Sequence, residues 1–199
     1  AIVFMTSPNS GTGYDKSDRE KGGNGYMPIS LQYNDYTATY ARNPSLAGGD
    51  PFENFTNRSY KGKSVKTANK QDMLSVLETK AKMKGKPVIV SLEMDKPTIM
   101  SEFEGSADAI LVNFGVQNQA VLDIISGKAE PSALLPLQMA ADMRIVEEQF
   151  EDVPRDMKCY TDSEGHLYDF AFGMNWKGVI DDERVTCLLY TSPSPRDTR

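Results

Sequence analysis

The sequence predicts an α/β fold, more exactly a three-layer α/β sandwich around a sheet of about five or six mostly parallel strands. The first observation is a pair of short apolar runs at residues 88–92 and 109–114. Both runs contain β-branched residues and are bounded by turn residues, as in strands that are buried on both faces. The second observation is that Gly115 leads from the later run into an apolar helical pattern that ends at Gly127. Strand, glycine, helix and a short return together form one unit of a mostly parallel sheet.

The other elements follow in chain order. Residues 1–5 are apolar and predict a first strand, and the Gly-, Asn- and Tyr-rich residues 6–66 predict a long irregular loop after it. Within that loop, residues 29–40 predict either one helix or a short strand, and we favour the helix. A longer helix is capped by Asn69 and terminated by Gly85. We also expect a short helix at 98–103, a return strand at 134–137, a helical turn at 143–150 and a strand at 167–172.

The run at residues 109–114 is expected to be a central strand of the sheet. Alternation along a strand then directs Ile110 and Val112 to one face and Leu111 to the other. A strand that is covered on both faces should bury all three side chains.

Composition and charge exclude several classes of function. The formal net charge is −6, whereas a nucleic-acid-binding surface needs a basic face to neutralise phosphates. No apolar run approaches the roughly 20 residues of a membrane helix. Cys159, Cys187 and His166 lack the spacing of metal ligands, and the turn at residues 10–13 lacks the Lys-Ser/Thr of a phosphate loop. The sequence therefore predicts no metal, no cofactor, no nucleic-acid partner and no membrane partner.

The two ends of the chain carry different expectations. The chain starts inside a strand-like run, so the N-terminus looks like a cut, and the absence of a leader carries no information about location. The last dozen residues lack periodicity and end in Ser-Pro and charged residues, which is typical of disorder. They resemble the translated sequencing adapters seen on metagenomic reading frames. We therefore expect one domain at residues 1–186 and a non-native disordered tail at 187–199.

Carboxylates are the strongest candidates for chemistry, because pairs of them perform acid–base and nucleophilic work in glycoside hydrolysis. One group lies in the long loop and another follows the strand at 88–92. Exposed acidic residues are common in soluble proteins, so composition alone does not single out any of them. The members of the two groups are Asp15, Asp18, Glu20, Asp50 and Glu53, then Glu93, Asp95, Glu102 and Glu104.

Read together, these pieces resemble the C-terminal α/β domain of glycoside hydrolase family 3, the β-glucosidase and β-xylosidase family. Single pieces are weak, but their order and spacing over nearly all of residues 1–182 are specific. The matching stretches are KPVIV at 86–90, ADAIL at 107–111, GVQNQ at 115–119, IISG at 124–127, EPSALLP at 130–136 and LYDFAFGMNW at 167–176.

The resemblance implies a role for the loop after the first strand. Many family members carry S-G-E-G-Y there, with the glutamate as acid/base, but this sequence has Thr12 at that position. A threonine hydroxyl has no proton to give near neutral pH. The candidates to replace it are Glu53 and Glu20. We rank Glu20 second, since the adjacent Arg19 and Lys21 favour the ionised carboxylate, which suits a general acid less well.

Other polar residues of the loop are candidates for binding sugar hydroxyls. Asn57, Arg58 and Tyr60 follow Glu53 closely, and Asp15 follows the turn that contains Thr12. Amide, guanidinium, phenol and carboxylate groups all make the hydrogen bonds that sugar hydroxyls need.

The resemblance also implies a parent enzyme, a retaining exo-acting β-glycosidase that hydrolyses terminal β-linked sugars. Its nucleophilic aspartate lies on a preceding (β/α)₈ barrel domain, so this chain alone is expected to be inactive. The family further suggests a periplasmic or secreted bacterial location. Two alternatives stay open. One is a non-catalytic carbohydrate-binding or interaction domain, which Thr12 favours, and the other is a flavodoxin-like nucleotide binder, which the missing phosphate loop disfavours.

Overall fold

The computed structural model describes residues 1–45, 58–150, 153 and 155–191. Within these residues, short strands and helices alternate along most of the chain. In chain order the elements are β1 (Ile2–Thr6), α1 (Lys16–Glu20), β2 (Tyr36–Thr37), β3 (Ser64–Val65), α2 (Lys70–Met83), β4 (Ile89–Glu93), β5 (Ala109–Asn113), α3 (Asn118–Ile125), α4 (Met143–Glu148), β6 (Met174–Asn175), β7 (Gly178–Val179) and α5 (Glu183–Thr191).

A parallel sheet forms the centre of the fold, with strand order β1-β4-β5. Both pairings are parallel, and Ile89 on β4 lies opposite Ile2 on β1 and Ala109 on β5. The α/β class is therefore confirmed. Among the described residues the parallel sheet has three strands instead of the expected five or six, and the remaining strands form two antiparallel pairs.

Helix α2 lies between β3 and β4 in the chain and covers one face of the sheet. Asn69 precedes its first turn, and Met73 and Val76 are buried against the sheet core. The helix ends where Lys84 and Gly85 take left-handed conformations, with φ of 49° and 84°. Glycine adopts that conformation without a Cβ clash, which explains why the helix ends there.

The main core lies between the sheet and α2. Val90 and Leu92 of the central strand β4 are completely buried, and Phe103 packs in the same cluster. Ile110 and Val112 also pack against this cluster, as expected from strand alternation, but both are only half-buried. The expectation of a central, fully buried strand at 109–114 was wrong, because β5 is an edge strand of the described sheet and β4 is central.

The long loop after β1 has its own small core. Of the two alternatives for residues 29–40, the favoured helix is absent and the short strand is present, since Tyr36–Thr37 pair antiparallel with Ser64–Val65. Tyr36, Ala38 and Ala41 are buried with Ile99, Ala140 and Met143 in a second cluster. Polar and small residues alternate here without a helical stripe, so tertiary contacts decide the conformation.

Several smaller expectations can be compared with the structure. Short 3₁₀ helices at Met100–Glu102 and Glu104–Ser106 occupy the region of the helix expected at 98–103. The helical turn expected at 143–150 is α4. Residues 134–137 and 167–172 do not form the expected strands, although Leu167 makes an isolated bridge to Thr161.

The C-terminal region differs from the expected irregular tail. Helix α5 continues to Thr191, so residues 187–191 are helical, and residues 192–199 lie outside the described part of the chain. Arg184 anchors the helix by donating from Nη1 to the carbonyl of Ser132 at 2.7 Å. No helix among the described residues is long and apolar enough to cross a membrane.

Candidate functional site

The loop that leaves β1 starts from a fixed position at the carboxyl end of the sheet. Thr6, the last residue of β1, donates from its backbone and its hydroxyl to Asp72 at 3.2 Å each. Asn69 donates to the carbonyl of Ser7 at 3.1 Å and accepts from the backbone of Asn9 at 2.7 Å. The first turn of α2 therefore holds the start of the loop, which is where ligands commonly bind in open α/β sheets.

The turn that contains Thr12 is shaped by its neighbours. Ser10 is buried, and its hydroxyl accepts from the backbone of Ser30 at 2.8 Å. Gly11 and Gly13 have φ of 95° and 80°, values that favour glycine. Thr12 itself is exposed between them. The turn thus presents a side chain at the position where the resembling motif carries its acid, but that side chain is a neutral hydroxyl.

Asp15 and Glu20 lie at opposite ends of the short helix α1. The carboxylate of Asp15 caps the helix and accepts from the backbone of Ser17 at 2.8 Å and from its hydroxyl at 3.1 Å. These hydrogen bonds from Ser17 lower the pKa of Asp15. Glu20 is exposed and lies 3.5 Å from Lys16. Asp15 therefore has a structural contact, whereas Glu20 faces solvent.

A charged link joins the two halves of the long loop. Lys63 donates from Nζ to Asp18 at 2.7 Å and to Asn24 at 2.6 Å. Asp18 also accepts from the backbone of Gly25 at 2.8 Å. The hydrogen bond from Lys63 and the one from Gly25 lower the pKa of Asp18. Sequence reasoning grouped Asp18 with the loop carboxylates but missed its partner, because Lys63 is distant along the chain.

Glu147 of α4 is a buried carboxylate that sequence reasoning did not single out. It accepts from the phenol of Tyr36 at 2.6 Å and from the phenol of Tyr60 at 3.1 Å. Tyr60, a predicted sugar-binding residue, thus directs its hydroxyl to Glu147. In the sequence, the available signal was the position of Glu147 directly after the apolar Val146. In the structure, the other buried residue of this helix is Met143.

The remaining predicted residues lie in or next to residues 46–57, which are outside the described part of the chain. Glu53 and Asn57 lie in residues 46–57 and are outside the described part of the chain. Arg58 directly follows that segment, and its carbonyl accepts from the backbone of Ser45 at 2.9 Å. The structure thus brings the two flanks of the segment together, next to Tyr60.

The contacts of His166 and of the buried Cys159 are typical of structural residues. His166 lies with Nδ1 3.0 Å from Asp162 and its ring 6.0 Å from the ring of Phe172. Burial raises the pKa of Asp162, but hydrogen bonds from His166 and Glu164 outweigh it, so the pKa is lowered. Burial raises the pKa of Cys159 to about 11, so it is a poor nucleophile. The described residues contain no group of side chains that could hold a metal ion.

One shallow groove lies elsewhere, beside α5. Its volume is about 630 Å³ and none of the predicted site residues lines it. It is lined by Ser132, Ala133, Leu134, Glu183, Arg184, Cys187 and Leu188.

Comparison with known proteins decides the family. The model of the glycosyl hydrolase family 3 C-terminal domain matches residues 30–176, which is more than half of the chain. The chain belongs to this family. The match covers β4, β5 and α3, and with them the motifs that carry the resemblance. It begins after the turn that contains Thr12, so the departure at Thr12 lies outside the matched region.

Curated relatives of this family 3 domain are named as β-glucosidases. The probable beta-glucosidase C of Aspergillus flavus is 34% identical over 85 residues, 43% of this chain and 13% of the relative. Beta-glucosidase C of Emericella nidulans is 30% identical over 91 residues, 46% of this chain and 14% of the relative. The periplasmic beta-glucosidase/beta-xylosidase of Dickeya chrysanthemi is 26% identical over 120 residues, 60% of this chain and 17% of the relative.

The matched region therefore spans less than a fifth of the length of these relatives. No solved structure matches the chain.

Proposed function

We propose that this chain is the second domain of a retaining, exo-acting β-glycosidase that removes terminal β-linked sugars, with β-glucosides as the leading substrate class. The observation that carries the proposal is the family match over residues 30–176. The relatives named as β-glucosidases support the substrate class, and their much greater length supports a further domain in the parent protein.

In this proposal the chemistry is divided between two domains. An aspartate of a preceding barrel domain attacks the anomeric carbon and forms a covalent glycosyl-enzyme intermediate. A carboxylic acid from the long loop of this domain protonates the leaving oxygen. After it has given up its proton, the same group is a carboxylate and acts as the general base. It activates the water that hydrolyses the glycosyl-enzyme intermediate and releases the sugar.

Glu53 is our first candidate for that acid and Glu20 the second. Glu53 lies in the segment whose flanking residues, Ser45 and Arg58, are hydrogen-bonded to each other. Glu20 lies on the exposed helix α1, 3.5 Å from Lys16.

Sugar hydroxyls are proposed to bind Asp15, Asn57, Arg58 and Tyr60. Two of these have contacts that limit how they can act. Asp15 accepts hydrogen bonds from Ser17, and the Tyr60 phenol donates to Glu147 at 3.1 Å. Asp15 still has lone pairs that can accept from a sugar hydroxyl, and the Tyr60 oxygen can accept one hydrogen bond while it donates another.

The test compares this chain alone with the chain joined to its native barrel domain, using aryl β-glucosides. We expect no hydrolysis by the chain alone and hydrolysis by the joined protein, since the nucleophile is on the other domain. A joined protein that is folded but inactive on aryl β-glycosides would overturn the proposal.

The second candidate is a non-catalytic carbohydrate-binding domain, which the exposed Thr12 favours. This reading expects the chain alone to bind a β-linked disaccharide such as cellobiose in a calorimetric titration. It also expects the joined protein to remain inactive. Binding by the chain alone, together with an inactive joined protein, would favour this second function.

A further inference from the structure

Asn24 and Gly25, in the long loop between α1 and β2, form the one Asn-Gly pair in the sequence. Asparagine is a thermolabile residue, and its deamidation is fastest before glycine, which has no side chain to shield its backbone nitrogen. That nitrogen can attack the side-chain amide of the asparagine before it. Neither the proposed catalysis nor the proposed sugar binding uses this pair.

The fold makes use of both residues of the pair. Asn24 donates from Nδ2 to the carbonyl of Ser59 at 2.6 Å, and its Oδ1 accepts from the backbone of Tyr26 at 3.1 Å in an Asx turn. Gly25 has a φ of 81°, and a Cβ at this position would lie 2.5 Å from Cε2 of Tyr14. A larger residue would strain the backbone and clash with the Tyr14 ring. The contacts of the loop therefore keep the labile pair at this position.

Deamidation of this pair needs water as its only co-reactant. The Gly25 backbone nitrogen loses its proton to a base and bonds to Cγ of Asn24. The bond from Cγ to the side-chain nitrogen then breaks, and that nitrogen takes up a proton and leaves as ammonia. Water opens the resulting succinimide ring at either carbonyl, which gives aspartate or isoaspartate at position 24.

The same contacts of the loop oppose this reaction. The backbone N–H of the buried Gly25 donates to Asp18 at 2.8 Å, so removing its proton would place a second negative charge beside that carboxylate. The reaction also expels the side-chain nitrogen of Asn24, which breaks the hydrogen bond to Ser59. Lys63 fixes the other end of the amide by donating to Oδ1 at 2.6 Å, and hydrogen bonds from charged groups are the stronger ones. Asn24 is therefore held away from reaction while the loop is closed.

We propose that Asn24 is a modification site, a deamidation site that the folded loop guards through Asp18, Lys63 and Ser59. It converts to aspartate or isoaspartate when these contacts open, as parts of a fold do locally without global unfolding. The product has no side-chain N–H, so it cannot restore the hydrogen bond to the Ser59 carbonyl. Each opening that leads to reaction thus removes a link between the two halves of the loop for good. The proposal does not depend on glycosidase activity.

The experiment incubates this chain near neutral pH, folded and in urea, and follows deamidation at each asparagine by tryptic digestion and mass spectrometry. Trypsin releases Asn24 in the peptide of residues 22–42 and Asn9, which precedes Ser10, in the peptide of residues 1–16. Asn9 is an internal reference, because it lies outside the guarded pair and reports any general unfolding.

Two variants open the guard from different sides. Lys63→Met removes the cation that binds both Asp18 and Asn24, and Asp18→Ala releases the N–H of Gly25. The matched control is Lys66→Met, since Lys66 is 87% exposed and lies 4.0 Å from its partner Asp35.

In the folded wild type we expect Asn24 to deamidate at least about tenfold more slowly than in urea, the order expected when charge-assisted hydrogen bonds must open first. Folded Lys63→Met and Asp18→Ala should each react roughly tenfold faster than folded wild type at Asn24, with Asn9 unchanged. Lys66→Met should match wild type at both positions.

Three results would overturn the proposal. The first is a folded wild type that reacts at Asn24 as fast as the chain in urea, and this comparison holds even if neither variant folds. The second is an equal or slower rate in folded Lys63→Met or Asp18→Ala, which would mean that these side chains do not guard the pair or that they promote the attack. The third is acceleration of Asn9 by the same factor as Asn24, which would mean that the variants act through global unfolding.

Discussion

In the central strand of the sheet, Val90 and Leu92 are completely buried, and so is Val88 directly before it. In the long loop after β1, distant parts of the chain are also joined by charged and hydroxyl side chains, such as Asp18 with Lys63 and Tyr60 with Glu147. Burial stabilises the sheet without strict directions, whereas each polar contact in the loop needs one donor and one acceptor in place. The sheet should therefore tolerate apolar substitutions of similar volume, whereas a contact in the loop should be lost when a single donor or acceptor is removed.

The largest expected effect comes from a charge in the central strand. Val90→Asp should leave no soluble folded protein, because an unpaired buried charge costs about 4 kcal/mol or more, a large part of a typical total of about 5–15 kcal/mol. Soluble yield and far-UV circular dichroism measure this effect. Glu93→Gln, at the exposed end of the same strand, is the control and should fold normally. A folded Val90→Asp protein would contradict the assignment of β4 as the central strand.

The same change at the edge of the sheet should be milder. Ile110 lies on β5 and is half-buried, so the carboxylate of Ile110→Asp can reach water more readily than one at Val90. We expect a protein that folds with a lower melting midpoint. Equal damage at the two positions would indicate that β5 is covered on its outer edge as well.

In the loop, removing one cation should loosen the link between its halves. Lys63→Met should lower the melting midpoint by a few degrees, since the Lys63 side chain is 24% exposed and its partner Asp18 is 27% exposed. The control is Lys66→Met, because Lys66 lies 4.0 Å from Asp35 and is 87% exposed, so it should have no measurable effect. Identical midpoints for the two variants would show that the link adds nothing to the fold.

The pH dependence of the same pair sharpens this comparison. Lys63 and Gly25 hold the pKa of Asp18 below its ordinary value of 3.8. The stabilisation is therefore complete above that value and is lost as the pH falls through the lower pKa of the folded state. The difference in stability between wild type and Lys63→Met should be constant at neutral pH and shrink in acid. A difference that grows in acid would contradict the assignment.

The smallest effect is expected at the C-terminus. Removing residues 192–199 should leave the melting midpoint unchanged, because their composition gives no periodic apolar face to bury. Truncation after Asp182 also removes α5 and the contact from Arg184 to Ser132, so it should lower the midpoint. A clear loss from the shorter deletion would mean that residues 192–199 pack on the domain.

The regular sheet could be predicted from the sequence, whereas the contacts of the long loop could not. The strands β1, β4 and β5 and the helix α2 were predictable, since burial on a regular element leaves a periodic apolar pattern. The number of strands was not, because it depends on pairings between distant segments. The contacts of the loop were also not predictable. Tyr36 and Glu147 are 111 residues apart and Lys63 and Asp18 are 45 apart, and no local pattern records such partners.

The family was predictable because its motifs lie mainly on the regular part of the fold. The stretches at residues 86–90 and 107–111, which lead into β4 and β5, and the turn at Gly115 resemble the family pattern. The match over residues 30–176 confirms the family. The site residues stay predictions. Glu53 and Asn57 lie outside the described residues, and the structural contacts of Asp15 and Tyr60 neither require nor forbid a role with the substrate.

The central claim of the proposed function is that a carboxylic acid in the long loop of this domain protonates the leaving group, and that Thr12 does not. The most direct measurement compares Glu53→Ala, Glu20→Ala and the control Thr12→Ala in the complete enzyme, with good and poor leaving groups and with added azide. We expect Glu53→Ala to slow poor leaving groups by about 100-fold or more while activated aryl glycosides change far less, because only the poor ones need the proton. Azide should restore turnover of that variant, and Thr12→Ala should behave as wild type. If neither glutamate variant shows this pattern, the acid lies elsewhere and both assignments are wrong.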